Sequence, residues 1–200
     1  EAILLDVVAE SEHEGVPDLL AVLRQRRDVG FERILGRRAS IQVDAPRVDA
    51  LALSELPRFT CLPEPGEHHQ SGIILAPTLA YMDRAYADAR ALGVSREPIV
   101  EMLLPSVVDD SLAPAGLHVA SLFCQQVAPV LPNGASWDDA RDDVADLMIQ
   151  TVDSQAPGFA KSVIARQINS PLDLERTFGL VNGDIMHGAL SLDQLFSARP

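Results

Sequence analysis

Basic residues are scarce in this 200-residue chain: 16 Lys and Arg stand against 29 Asp and Glu, for a net charge of −13 and a pI near 4.6. A nucleic-acid binder needs a basic face to displace counterions from phosphates, so that class is excluded. An anionic membrane surface is disfavoured on the same ground. Cysteine is nearly absent. Cys61 and Cys124 lie far apart and make no C-x-x-C pair, which removes a thiol redox motif and a zinc knuckle and leaves reduced thiols in a cytoplasmic protein as the expectation.

Long hydrophobic runs are missing too. Ile73–Ala80 and Ile99–Val108 are broken by Pro77, Glu101 and Pro105, and neither nears the ~20 apolar residues of a membrane-spanning helix. The chain opens on Glu1 without a basic and then apolar leader, so no secretory signal is expected, and the absent initiator Met suggests a piece of something longer. With 47% hydrophobic and 22% charged residues, the remaining class is an ordinary soluble domain able to bury a core without disulfide or metal.

Several catalytic signatures are lacking. There is no G-x-G-x-x-G after a strand and no G-x-x-x-x-G-K-[ST], hence no visible phosphate cradle for a dinucleotide or nucleoside triphosphate. G-x-S-x-G and H-E-x-x-H are absent as well.

What is there divides into two parts. Residues 1–50 hold Arg24, Arg26, Arg27, Arg33, Arg37, Arg38 and Arg47, with a net charge of −3, while residues 51–200 carry −10. Pro17, the leucines 19, 20 and 23 and Gly30 predict a helix over about 17–29. From residue 51 the punctuation is regular. Arg58–Leu62 and Ser71–Ala76 read as short strands around a loop holding His68 and His69. Thr78 caps a helix whose apolar residues Leu79, Met82, Tyr86, Ala89 and Leu92 recur every three or four positions, closed by Gly93.

Ile99–Leu104 reads as a buried strand, and Leu117–Val127 as a longer one with His118, Ala120, Leu122 and Cys124 on one side. Ser136 starts a helix, with Asp139 as its capping partner; Trp137, Ala140, Val144, Leu147 or Met148, and Thr151 or Val152 form its buried side, and Pro157–Gly158 end it. Ser162–Ile168 predicts a strand, Pro171–Phe178 a short helix and Leu180–Gly188 a turn. These elements interleave without strict βα alternation, so the fold class is α+β: a mixed β-sheet with packed helices.

Five histidines are the candidates for chemistry: His13, His68, His69, His118 and His187. His68 and His69 lie beside Glu64 and Glu67, a composition that can ligate a divalent metal and would serve a metal-dependent hydrolase. Neighbours on an extended segment point apart, however, so both could ligate only across a turn, and no metal site is expected. His118, inside a strand, reads as structural. His187 lies in a loop whose glycines let backbone approach a ligand, which makes it a candidate for substrate contact. Asp139, Asp142 and Asp143 share a helix face, but without a D-x-D-x-D-G loop they read as a solvated surface rather than a calcium site.

Longer strings carry more. "ALSELPRFTCLP" (52–63), "PIVEMLLPSVVDDSLAPAGLHVASLFCQ" (98–125), "WDDARDDVADLMI", "APGFAKSV" and "SPLDLERTFGLVNGDIMHGALSLDQLFSARP" (170–200) resemble the later half of the FAD-dependent phytoene dehydrogenase-like oxidoreductases. That family belongs to the amine oxidase and phytoene desaturase group, and the nearest subgroup is that of the pyridine nucleotide-disulphide oxidoreductase domain-containing proteins. The resemblance runs over residues 51–200 and leaves residues 1–50 unmatched, as a divergent upstream segment or an out-of-frame translation would.

The resemblance implies a substrate domain inserted into a Rossmann-like FAD domain, this segment lacking the complete FAD domain. It further implies FAD as cofactor, hydride transfer from a small organic or apolar substrate to flavin, and Asp184, Met186, His187, Gln194 and Phe196 near the substrate, with Arg199 near the flavin. No residue is assigned a catalytic role. The competing reading is a non-enzymatic module that binds an apolar ligand or a partner. A homodimer is expected from the apolar face that a substrate domain exposes when separated from its flavin domain.

Overall fold

The computed structural model describes residues 47–185, with side chains from Ala50 onward. The predicted helix over 17–29 and the site residues Met186, His187, Gln194, Phe196 and Arg199 lie outside the described residues.

Five strands form one sheet. They are β1 (Arg47–Leu53), β2 (Ile73–Leu75), β3 (Val94–Leu103), β4 (His118–Val127) and β5 (Val163–Asn169), in the spatial order β2-β3-β4-β1-β5 with every pairing antiparallel. Four α-helices accompany it: α1 (Leu79–Leu92), α2 (Trp137–Gln155), α3 (Phe159–Ser162) and α4 (Pro171–Phe178). The α+β class expected from the interleaved pattern is the one observed.

Alternation along β4 decides the sheet's two sides. Ala120, Leu122 and Cys124 join Leu51, Leu53, Val100 and Met102 in the main core, which Met148, Val152 and Phe159 complete from the helices. Val119 points the other way, into a small cluster with Ala52, Ile164 and Ala165. Strict alternation would send Val127 to the same side as Val119. Gln126 adopts φ +70° instead, and this break in the extended backbone goes with the return of Val127 to the main core. The register shift between Val94 and Ile99 on β3 lies opposite, at Pro98, which has no N–H to give a ladder.

Several predicted boundaries hold. Thr78 Oγ1 accepts from the Tyr81 amide at 3.1 Å, Gly93 closes α1 in the left-handed region, and α4 spans Pro171–Phe178 as expected. Others shift. Arg58–Leu62 is not a strand: between Pro57 and Pro63, the Leu62 amide donates to the Phe59 carbonyl at 3.0 Å and folds the segment into a turn. β3 is longer than the predicted 99–104 and starts directly after Gly93. β1, unforeseen, runs across the compositional change at residue 50. Asp139 does not cap α2, since Ser136 Oγ accepts from the Asp138 amide instead. The reciprocal box forms on α4, where Ser170 Oγ accepts from the Asp173 amide and Asp173 Oδ2 from the Ser170 amide.

Candidate functional site

A cleft opens between β2, the turn over residues 59–62 and the face of α2 that carries Leu147 and Thr151. Its volume is about 590 Å³, within the range of small-molecule sites. Phe59, Ile73, Leu75 and Leu147 make its walls apolar, and the exposed side chains of Leu62 and Ile74 extend that surface at the mouth. α2 supplies both the core and the cleft because its apolar stripe is wide. Met148 and Val152 are fully buried under the sheet, whereas Leu147 and Thr151 are turned one step round to the cleft.

Charge in this cleft is already engaged. The Arg96 guanidinium donates to both carboxylate oxygens of Asp88, at 2.8 and 2.9 Å, and Arg84 Nε donates to Glu97 at 3.4 Å. That contact holds the Asp88 carboxyl below its ordinary value. Tyr81 Oη donates to the Pro98 carbonyl at 2.8 Å, and burial, followed by the nearby Glu97, raises its pKa. Thr151 donates to the Leu147 carbonyl. What the cleft offers a ligand is therefore apolar surface, suited to a neutral molecule.

Of the histidines, His68 lines the cleft. The segment expected to be an open loop is a 3-10 turn over Glu67–Gln70, and this turn brings the two rings together, with centroids 4.0 Å apart. His69 is 2% exposed. The Gly66 amide donates to His69 Nδ1 at 3.3 Å, so Nε2 carries the hydrogen and donates to the Pro57 carbonyl at 2.8 Å. Phe59 meets His68 edge-on at 6.2 Å. His118 sits on the same side of β4 as Ala120 and Leu122, as read from the alternation. His68 Nε2 and His118 Nδ1 are buried without a hydrogen-bond partner. Burial first, and His69 second, lower the pKa of both rings.

Among the described residues no three His, Cys, Asp or Glu side chains gather as metal ligands. The acidic face of α2 is used for ion pairs: Arg166 of β5 binds Asp142 at 3.1 Å and also Asp146, while Arg176 of α4 binds Asp138 at 2.6 Å. Neither cysteine is in a disulfide; Cys61 is exposed and Cys124 buried. Asp184 follows a 3-10 turn over Val181–Gly183, its amide donating to the Val181 carbonyl, and it does not line the cleft. The cleft itself escaped sequence reasoning. Its signal was the double choice of Leu147 or Met148 and Thr151 or Val152, each pair marking two adjacent faces of one helix.

The described residues do not fit a flavin cradle. A dinucleotide site needs free amides at a helix N-terminus after a glycine-rich turn. Here Thr78, Ser136 and Ser170 each take one N-terminal amide of α1, α2 and α4 with their own side chains, and none of these helices follows a glycine-rich turn. The closest approaches at glycine are internal, Gly93 to Pro132 and Gly183 to Pro171. No helix among the described residues is long and apolar enough to cross a membrane.

No protein-family model matches the chain. Over 157 residues it is 41% identical to the pyridine nucleotide-disulfide oxidoreductase domain-containing protein 2 of Rattus norvegicus, and equally to that of Mus musculus. Each alignment takes in 75% of this chain and 27% of the relative, so the chain spans about a quarter of the length of the curated relatives it matches. The similarity supports the subgroup indicated by the strings at 52–63, 98–125 and 170–200.

Proposed function

We propose that this chain is the substrate-binding part of an FAD-dependent oxidoreductase of the phytoene dehydrogenase and amine oxidase type. The observation that carries the reading is the 41% identity, over three quarters of the chain, to relatives named as oxidoreductase-domain proteins. The fold agrees with a substrate role. An antiparallel sheet backed by helices provides an apolar cleft of about 590 Å³ whose charged lining is already paired, and a neutral organic substrate is the chemistry it suits. Flavin, when bound, would accept the hydride; its binding segments lie outside the described residues, with Arg199 and the residues around His187 as the nearest candidates of this chain. The chain's own part is to hold the substrate and exclude water.

The lack of fit to a flavin cradle also favours a second reading, a module that binds an apolar ligand without redox chemistry. Leu79, Met82 and Tyr86 on α1 and Ile74 on β2 remain exposed, which supports a homodimer, and a cytoplasmic site belongs to the same proposal.

The test is to titrate the purified 200-residue chain separately with FAD, followed by visible absorption, and with retinol and benzylamine, followed by equilibrium dialysis. Saturable uptake of a neutral or amine ligand is expected, and no uptake of either organic ligand would overturn the assignment. A yellow, saturable holoprotein would support the flavoenzyme, and colourless protein the module or fragment. Oxidation of the bound ligand by a longer chain that includes the flavin segments then separates the enzyme from the module.

A further inference from the structure

The segment over residues 57–70 forms one wall of the cleft through Phe59, Cys61, Leu62 and His68, and it is tied down at few points. The Thr60 amide donates to the Gln155 carbonyl at the end of α2, and Phe59 is buried in the core. Otherwise its hydrogen bonds are largely its own: Leu62 to Phe59, His69 to Gly66, Gly66 to His69 Nδ1, and His69 Nε2 to Pro57. The last two bonds use His69 Nδ1 as acceptor and Nε2 as donor. The His68 ring lies beside it, tilted by 42° at a centroid separation of 4.0 Å.

We propose that His68 and His118 form a pH-sensitive latch, which holds residues 57–70 against the sheet as a wall of the cleft while their rings are neutral and releases them on protonation. Two independent features support it. His68 Nε2 and His118 Nδ1 are buried with no acceptor, so a proton added at either creates an unpaired buried charge. The groups around them do not compensate. On the segment itself Glu64, Glu67 and Arg58 are exposed to solvent, and Cys61 is a thiol. Across the cleft Tyr81 on α1 and Arg96 and Glu97 on β3 are engaged elsewhere, and α2 brings only Leu147, Gln150, Thr151, Ser154 and Gln155. The short turn Pro105–Val107 has no ionisable side chain.

Burial foremost, and the neighbouring His69 after it, disfavour a proton on either ring. The sign follows: with both pKa values below the ordinary 6.5, the opened segment takes protons more readily than the closed one, so closure weakens as pH falls through that value.

Hydrogen exchange on the full 200-residue chain tests the latch, with rates corrected for intrinsic pH dependence and compared at about pH 7.5 and about pH 5.5. Protection of the Leu62, Gly66, His69 and Ser71 amides is expected to drop at the lower pH by more than about twofold relative to the Ala120 and Leu122 amides of β4. The double variant H68F/H118F, or the single variant His68→Gln should the double fail to fold, is expected to keep the segment's protection within about twofold across the same range. No selective loss in the parent chain, or an equal loss in a folded variant, overturns the proposal.

Discussion

Gly183 stands directly against the backbone of Pro171: a Cβ at position 183 would overlap the Pro171 carbonyl oxygen and Cα, and the glycine sits at φ +68°. The close approach that this glycine permits is thus to the first turn of α4, and it fixes the chain leading to Asp184. Gly183→Ala meets both a left-handed backbone and a steric overlap. Gly179→Ala, at φ +70° with open space around it, meets only the first, at about 1–2 kcal/mol. Urea unfolding should show Gly183→Ala destabilised by at least about 1 kcal/mol more than Gly179→Ala. Equal losses would remove the packing role.

The same residue shows what a sequence can and cannot disclose. Glycine announces close approach but not its object, because the partner lies twelve positions away in the fold's own chain. Helices with local signals were legible to the residue: Thr78, Gly93, Ser170 and Pro171 set their ends by hydrogen bonds and φ preferences within four positions. β1 was not, since Arg47–Leu53 becomes a strand only through pairing with β4 and β5, more than sixty residues on. The cleft was invisible for the same reason. The turn that leads to Asp184 was legible, and the other predicted site residues lie beyond the described region.

Helix α1 carries a face that sequence periodicity assigns differently from the structure. Leu79, Met82, Tyr86 and Leu92 are exposed, at 79%, 41%, 53% and 49%, while Ala85 and Ala89 press on the sheet. Small residues let the helix backbone approach β3 closely and leave the large side chains outside. Ala85→Leu should therefore cost about 1–3 kcal/mol by overpacking, and Met82→Gln should stay within about 0.5 kcal/mol. Thermal unfolding of the two variants checks this, and the reverse order would restore the apolar stripe as the buried face. Light scattering on M82Q reports in addition whether the exposed stripe drives self-association.

Arg176 of α4 holds Asp138 at the start of α2 with two hydrogen bonds, 2.6 and 3.0 Å, which bring the Asp138 carboxyl below its ordinary value of 3.8. A carboxyl with a depressed folded pKa binds fewer protons folded than unfolded. Its contribution to stability is complete above about pH 4 and disappears as pH falls through the folded value. Both partners are exposed, so the effect is small and weakened by salt. Asp138→Asn should lower stability slightly at neutral pH and in low salt, and the two stability curves should converge as pH falls through the folded value. An unaltered acid limb in low salt would show that the pair contributes nothing to holding α4 on α2.

Leu147 and Met148 are adjacent on α2 and separate the cleft from the core. Met148 has no exposed surface and packs in the main cluster, so Met148→Ala removes buried methylenes and leaves a cavity, at a cost of about 2–5 kcal/mol. Leu147 borders the open cleft, where truncation leaves no sealed void and Leu147→Ala should cost under about 1 kcal/mol. The informative change is enlargement. Leu147→Trp can extend into the cleft of about 590 Å³ without disturbing the core, so unfolding should be close to that of the parent while uptake of retinol or benzylamine falls by about tenfold or more. Full ligand uptake by a stably folded L147W would place the binding surface elsewhere on the sheet. A large loss of stability would mean that position 147 is packed as tightly as 148, and that the two faces of α2 are one.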